Sequence, residues 1–321
     1  IIYNLSGALM SRTYGEYLRL EELLKLQTGF MKDESKLSND ELHFILVHQN
    51  FELWFKLIIN ELKCTRDILA AEYVEESNLP QAVHHMRRVI ETFRLMSQQW
   101  KVMETLEPQE FLNFRDELGT ASGFESVQMR VLEAMMGKKW IDGKPVGQEK
   151  DNGEKSLYEV TCSWLERTPI QGSIPDSNKD LEVVNNFIDD YLNSHKKVYP
   201  DNNKEAIDFL KPDNESNRIR AALVFIESYR ELPLLSWPRK VISTLIELEQ
   251  AMVLWRSSHA RMVERIIGRR VGTGGSSGVD YLDMTTKYRV FIDLWMVRSI
   301  LIKKAALPKL INPEFYGFKG D

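Results

Sequence analysis

The side chains of this 321-residue sequence best suited to chemistry are six histidines, His43, His48, His84, His85, His195 and His259, because imidazole titrates near neutrality and also binds metals. Two of them stand where apolar residues belong. Phe44, His48, Phe51, Phe55, Ile58 and Leu62 follow one another at spacings of three and four, as do Leu245, Leu248, Met252, Trp255, His259, Met262 and Ile266. Such stripes face the core of an amphipathic helix. A core histidine either hydrogen-bonds a carbonyl and does nothing further, or serves as a ligand to a metal or a haem iron. The pattern leaves both open. A carboxylate-bridged di-iron centre is excluded, since no glutamate stands three residues before any histidine and the Glu-x-x-His pairs it needs are missing.

The second chemical feature is the stretch VGTGGSSGVDYL, residues 271 to 282, which crowds four glycines and two serines between Gly272 and Gly278. Glycine lets backbone N–H groups approach an anion closely, but the spelling fits neither known phosphate loop. Counting from Gly272, the sixth place of a Gly-x-Gly-x-x-Gly fingerprint is Ser277, and no Lys-Ser or Lys-Thr pair follows. The loop also follows a long helical pattern rather than a strand.

The elements that must position these residues are nearly all helices. Repetition at 3.6 residues runs through the chain and alternation at two is almost absent, which predicts an all-α fold with helices over 14–28, 39–71, 79–106, 108–118, 122–137, 155–167, 179–195, 203–210, 215–231, 237–268 and 279–303. Ser38-Asn39-Asp40-Glu41 offers a helix N-cap with an acidic third position, and Pro80 and Pro108 stand where first helical turns begin. The polar, glycine-bearing stretch 138–154 and the proline-bearing patch 168–178 read as a peripheral excursion over 138–178 on a single domain spanning 1–321. With 43% apolar residues the chain can bury a sizeable core. A balance of 42 basic against 47 acidic residues, without a long basic block, argues against nucleic acid or an anionic membrane as partner. Cys64 and Cys162 are the only cysteines, and with no secretory pattern they read as reduced thiols of a cytoplasmic protein. Apolar runs are broken by charges well before the length of a membrane span.

Five strings then carry a resemblance: YGEYLRLEELL (14–24), DELHFILVHQNFELWFK (40–56), FRDELGTASGFESVQMR (114–130), LYEVTCSWLERTP (157–169) and LWRSSHARMVERIIGRRVGTGGSSGVDYL (254–282). Together they resemble the tryptophan 2,3-dioxygenase family, colinearly over most of the chain. That resemblance implies a helical domain built around haem b, and an enzyme that inserts both atoms of O2 across the indole C2–C3 bond of L-tryptophan to give N-formylkynurenine. It implies His259 as the axial iron ligand, with Ser122 and Phe55 beside the haem, and His48 as the distal histidine next to the indole N–H. It implies Arg115 as the grip on the substrate carboxylate, Thr273 and Gly274 in a loop that folds over the amino-acid head group, and Phe44 as an apolar wall.

Tyr14, Tyr17 and Leu18 match positions that reach a neighbouring subunit's site, so residues 1–30 are expected to cross into a partner within a homo-oligomer, usually a tetramer. Taken without the resemblance, Arg115 also reads as a surface ion pair with Asp116 or Glu117, Ser122 as the cap of the next helix, and Phe44 and Phe55 as plain core. Four positions depart from the family pattern: Ser257 for an aromatic residue, Glu125 for Gln, Thr120 for Pro and His43 for Leu. They keep open a related haem monooxygenase acting on a substituted tryptophan or other aromatic amino acid; a non-catalytic haem or amino-acid sensor stands as a third reading from a different class.

Overall fold

The structure is a computed structural model and describes residues 13–137, 140–141, 144–145, 154–175, 177–211, 217–275 and 277–317. Three long helices make its centre: α3 (Asn39–Ala70), α4 (Leu79–Met103) and α11 (Ser236–Ile267). Local features mark three of their ends. Ser38 Oγ accepts from the Glu41 amide at 3.0 Å to start α3, Pro80 lies in the first turn of α4, and α11 stops at Gly268, whose φ of 60° favours glycine. α4 packs along both α3 and α11, so the stripes anticipated from spacing meet at one seam. Ile58, Leu62, Leu245 and Leu248 are fully buried there.

Shorter helices close around this centre. Ahead of it stand α1 (Tyr14–Leu18) and α2 (Leu20–Leu23). They replace the single helix expected over 14–28, because Arg19 between them adopts φ 52° and ends the first turn. Gln27 and Gln49 tie the segment after α2 onto α3, Gln27 Nε2 donating to Gln49 Oε1 at 2.7 Å and Gln49 Nε2 to the Leu26 carbonyl at 3.1 Å. After α4 come α5 (Pro108–Arg115) and α6 (Val127–Met136), the latter starting later than 122 because its cap is Ser126 rather than Ser122. Within the expected excursion, β1 (Trp140–Ile141) pairs antiparallel with β2 (Lys144–Pro145); the remainder of 138–153 lies outside the described residues.

The second half of that excursion is not peripheral. α7 (Leu157–Glu166) opens with a Ser156–Glu159 capping box, packs on both α3 and α10 (Asn217–Ser228), and buries Leu157, Val160 and Leu165. Helices α8 (Asp180–Val198) and α9 (Asn203–Leu210) pack with α10 beyond it. At the far end the helix expected over 279–303 is broken into α12 (Val279–Thr285) and α13 (Ile292–Met296). Buried Glu249 of α11 causes the break by accepting from the Val290 amide and from Trp295 Nε1 at 2.7 Å, a stronger acceptor for that amide than a helical carbonyl. Buried apolar side chains from Val47 to Tyr316 form one cluster, and among the described residues no helix is long and apolar enough to cross a membrane. Cys64 and Cys162 are both free.

Candidate active site

A cavity of about 280 Å³ opens where α3, α4 and α11 meet. α3 contributes His48, Phe51 and Phe55, α4 contributes Trp100, and α11 contributes Trp255 and His259. The aromatic side chains are there because each helix turns its core stripe inward; the histidines keep part of their surface because they face the cavity. Their protonation follows from that placement. Burial holds the His48 imidazole below its ordinary value, against the raising effect of its bond to Phe44. Burial, with repulsion from His48 and Arg256, pushes His259 down to about 3. Both rings are therefore neutral at pH 7.

The two neutral rings differ in what they can do. His48 Nδ1 lies 2.8 Å from the Phe44 carbonyl, and since a carbonyl only accepts, Nδ1 carries the proton and Nε2 the lone pair. A neutral His48 is thus set to receive an N–H. His259 makes no hydrogen bond among the described residues; its ring lies parallel to Trp100, with centroids 4.5 Å apart and planes 10° from parallel. Its lone pair is uncommitted, which is the requirement for a metal ligand.

Polar groups sit around the rim. Arg115 at the end of α5 donates through Nη2 to the Val271 carbonyl at 2.5 Å. No carboxylate pairs with it among the described residues, so the surface ion pair with Asp116 or Glu117 does not form. Thr273 Oγ1 donates to the Ala121 carbonyl at 2.7 Å. These two bonds pin the glycine loop over the segment that carries Ser122, and the fit is close: a Cβ on Gly274 would stand 2.8 Å from Ser122 Cβ and Oγ. Gly278, at φ 61°, has no room either, since its Cβ would meet the Arg270 carbonyl oxygen at 2.6 Å. Gly274 and Gly278 thus serve close approach to other segments of the same chain rather than a phosphate. Arg115, Ser122 and Thr273 line the cavity, whereas Gly274 is solvent-exposed, packs against Ser122 and takes no part in the cavity wall.

Other anticipated residues fall elsewhere. Phe44 lies outside the cavity wall and backs His48, ring centroids 4.0 Å apart. Tyr14, Tyr17 and Leu18 are 75%, 74% and 41% exposed and take no part in this chain's own cavity.

The lining also contains groups that spacing does not flag. Arg256, one helical turn before His259, donates to Glu133 Oε1 at 2.5 Å and to the Thr285 carbonyl at 3.3 Å, while its buried Nε has no partner. Glu52, one turn after His48, accepts from Ser126 Oγ at 2.7 Å and from Gln128 Nε2 at 2.9 Å. An arginine three residues before a core histidine shares its buried face, and that is the available signal. Trp100 offers none, since its own helix reads as ordinary core.

This lining fits a flat, largely apolar group with an acidic edge: aromatic walls, one uncommitted neutral imidazole, and a buried guanidinium N–H without an acceptor. Among the described residues no group of three or more His, Cys, Asp or Glu is placed to hold a bare metal ion. An iron held at His259 would need its other ligands from the group in which it arrives. A family model described as Tryptophan 2,3-dioxygenase matches residues 4–206 and 214–301.

The chain belongs to the tryptophan 2,3-dioxygenase family.

Individual relatives agree with that membership. The chain is 40% identical to the "Tryptophan 2,3-dioxygenase" of Sorangium cellulosum, over 95% of this chain and 87% of the relative. It is 40% identical to the "Tryptophan 2,3-dioxygenase 2" of Ralstonia nicotianae, over 95% and 97%. It is 31% identical to the "Tryptophan 2,3-dioxygenase" of Anopheles gambiae, over 95% and 89%. Family membership with similarity along nearly the whole chain covers every element that lines the cavity, so the site belongs to the shared framework and not to an appended segment.

Proposed function

We propose that the protein is a haem-dependent tryptophan 2,3-dioxygenase that opens the C2–C3 bond of L-tryptophan with O2 to give N-formylkynurenine, the first step of tryptophan breakdown by the kynurenine route. The observation that carries the proposal is the pairing, on one aromatic cavity, of an uncommitted neutral imidazole at His259 with a neutral His48 whose Nε2 is set to accept, under a rim of Arg115 and Thr273. His259 would hold the iron of haem b, with Phe55 and Ser122 beside the macrocycle and the Arg256 Nε–H available to an acidic edge. Haem supplies an iron centre that binds and activates O2.

The chain's own groups hold the substrate. His48 Nε2 accepts the indole N–H, which places C2 and C3 towards the centre of the cavity. The guanidinium of Arg115 exchanges the Val271 carbonyl for the substrate carboxylate, a charge-assisted and geometrically matched acceptor. Thr273 exchanges the Ala121 carbonyl for the amino-acid head group, with Gly274 allowing the loop to stay close as it does so. Phe44 keeps the His48 ring in place from behind. Tyr14, Tyr17 and Leu18, exposed here, reach the site of a neighbouring subunit in a homotetramer, and the single domain works in the cytoplasm. A sensor would need no carboxylate grip beside an open iron position, and the rim therefore favours catalysis.

The test is direct. The purified haem protein is reduced without oxygen, given L-tryptophan and then O2, and the product is identified by mass. N-formylkynurenine is expected; tryptophan recovered unchanged, or a hydroxylated tryptophan, would contradict the reading.

A further inference from the structure

A histidine that ligates iron has to be held against rotation about its Cβ–Cγ bond, because that torsion is broad and the rotamer well does not fix the ring plane. The usual restraint is a hydrogen bond from the second ring nitrogen to a carboxylate, carbonyl or water. Among the described residues His259 has no such bond. The group that lies against it is a ring. Trp100 of α4 faces the imidazole at a centroid distance of 4.5 Å and 10° between planes, while Trp255 is farther away, at 6.0 Å and 20°. Trp100 is itself immobilised: it is 3% exposed, and Phe51 of α3 presses on it with centroids 4.1 Å apart.

We propose that Trp100 is the positioning residue for His259, its indole face setting the plane of the imidazole in place of a hydrogen bond. The inference rests on the haem reading above. Stacking suits the task because the nitrogen lone pair lies in the imidazole plane; a ring on the face of the imidazole fixes its orientation without competing for the metal. Parallel aromatic pairs also prefer an offset arrangement at this separation. Two features make the assignment specific to Trp100. It is the indole in nearly parallel face contact, and it comes from a different helix, so the plane of His259 is set by the packing of α4 on α11 and not by the rotamer of α11 alone. Its buried Nε1–H has no partner, so no hydrogen bond of its own ties the indole elsewhere, and the contact works through the face.

The test compares haem-loaded wild type with Trp100→Phe, which keeps an aromatic face and loses the N–H, and Trp100→Leu, which loses the face. The readouts are the iron–imidazole stretching band of the ferrous protein and the rate of haem transfer to excess apomyoglobin. Trp100→Phe is expected to stay near wild type in both. Trp100→Leu is expected to shift or broaden the band and to release haem about 10- to 100-fold faster, the range for losing a group that orients a metal ligand. Trp100→Met, which fills the space with a flexible chain, gives the same reading should the leucine variant fail to fold.

In His259→Gly, free imidazole is expected to restore the band. Adding Trp100→Met should raise the imidazole needed about two- to tenfold, the worth of one aromatic stack. A band and release rate unchanged in Trp100→Leu and Trp100→Met overturn the inference, and so does Trp100→Phe behaving like Trp100→Leu, which would give the role to the N–H. A haem-loaded wild type without an iron–imidazole band, or a His259→Gly variant that keeps one, removes the haem-ligand reading itself.

Discussion

The helix pair α3 and α4 carries histidines at both of its ends, and the two ends are built in opposite ways. At one end His48 and Trp100 meet His259 in an aromatic cavity. At the other, about 20 Å along α3 at 1.5 Å per residue, buried Glu61 takes His85 Nδ1 at 2.6 Å and Arg88 Nη1 at 2.7 Å. The second end is a closed polar cluster in which the carboxylate is satisfied from two sides, and it holds α3 to α4. At the first end the imidazoles are neutral, His259 has no hydrogen bond among the described residues, and the Nε1 atoms of Trp100 and Trp255 are unpartnered. Fully partnered polar groups rigidify a fold, whereas a buried polar group without a partner is held at the expense of stability. The difference separates a histidine closed into a polar cluster from one left facing a cavity, at opposite ends of the same helix pair.

Breaking the cavity end gives the largest effects. His259→Ala should abolish stable haem binding while leaving the melting of the haem-free protein close to wild type, read from the haem absorption band and a thermal scan. A variant that purifies with full haem and an unchanged spectrum would remove the distinction between the two ends. Arg115→Ala should lower kcat/KM for L-tryptophan about 10- to 100-fold, corresponding to about 1.5 to 3 kcal/mol for a hydrogen bond to a charged group, and Thr273→Ala should lower it less. Indole analogues lacking the carboxylate should be nearly indifferent to the Arg115 change. Equal losses for both kinds of substrate would leave Arg115 only its structural bond to Val271.

Breaking the polar end should touch stability and not chemistry. Glu61→Gln is expected to lower unfolding free energy by about 1 to 3 kcal/mol, since His85 and Arg88 lose a charged acceptor, with turnover per bound haem unchanged. The same cluster predicts a pH dependence. Burial raises the Glu61 carboxyl, but the bonds from His85 and Arg88 outweigh it and leave the group below its ordinary value of 4.5. A carboxyl depressed in the folded state contributes stability above its unfolded value and loses it as pH falls through the folded one. Wild type should therefore lose stability below pH 4.5 more steeply than Glu61→Gln in denaturant titrations; parallel curves would show that the cluster contributes nothing.

How far the sequence discloses this arrangement depends on whether the cause is local. The stripes on α3 and α11 are periodic, so the long helices and the core register of His48 and His259 are legible from residue spacing alone. The break between α12 and α13 is not, because it is imposed by Glu249, 41 residues before Val290, and the break at Arg19 hangs on one backbone angle. The expectation of a peripheral excursion over 138–178 fails in its second half because proline and glycine around α7 outweigh a ten-residue apolar face. At the site, motif resemblance points to Arg115 and Thr273, but their actual acceptors, the Val271 and Ala121 carbonyls, are set by tertiary contact. Trp100 is the plainest case: Met96, Trp100 and Met103 read as core, and only the crossing of α4 over α11 turns that core residue onto His259.

The chemistry proposed for the cavity end of the helix pair is cleavage of a bound indole by both atoms of O2. Cleaving the C2–C3 double bond supplies all four electrons that O2 takes up, so after a single priming reduction no further reductant is needed. Monooxygenation requires two more electrons per turnover, or a peroxide. The most direct measurement is therefore turnover of L-tryptophan with isotopically labelled O2 and mass analysis of the product. N-formylkynurenine carrying two labelled atoms, formed without added reductant, is the expected result; product with one labelled atom, or turnover only with peroxide or continuous reductant, would contradict it and assign the site to monooxygenation.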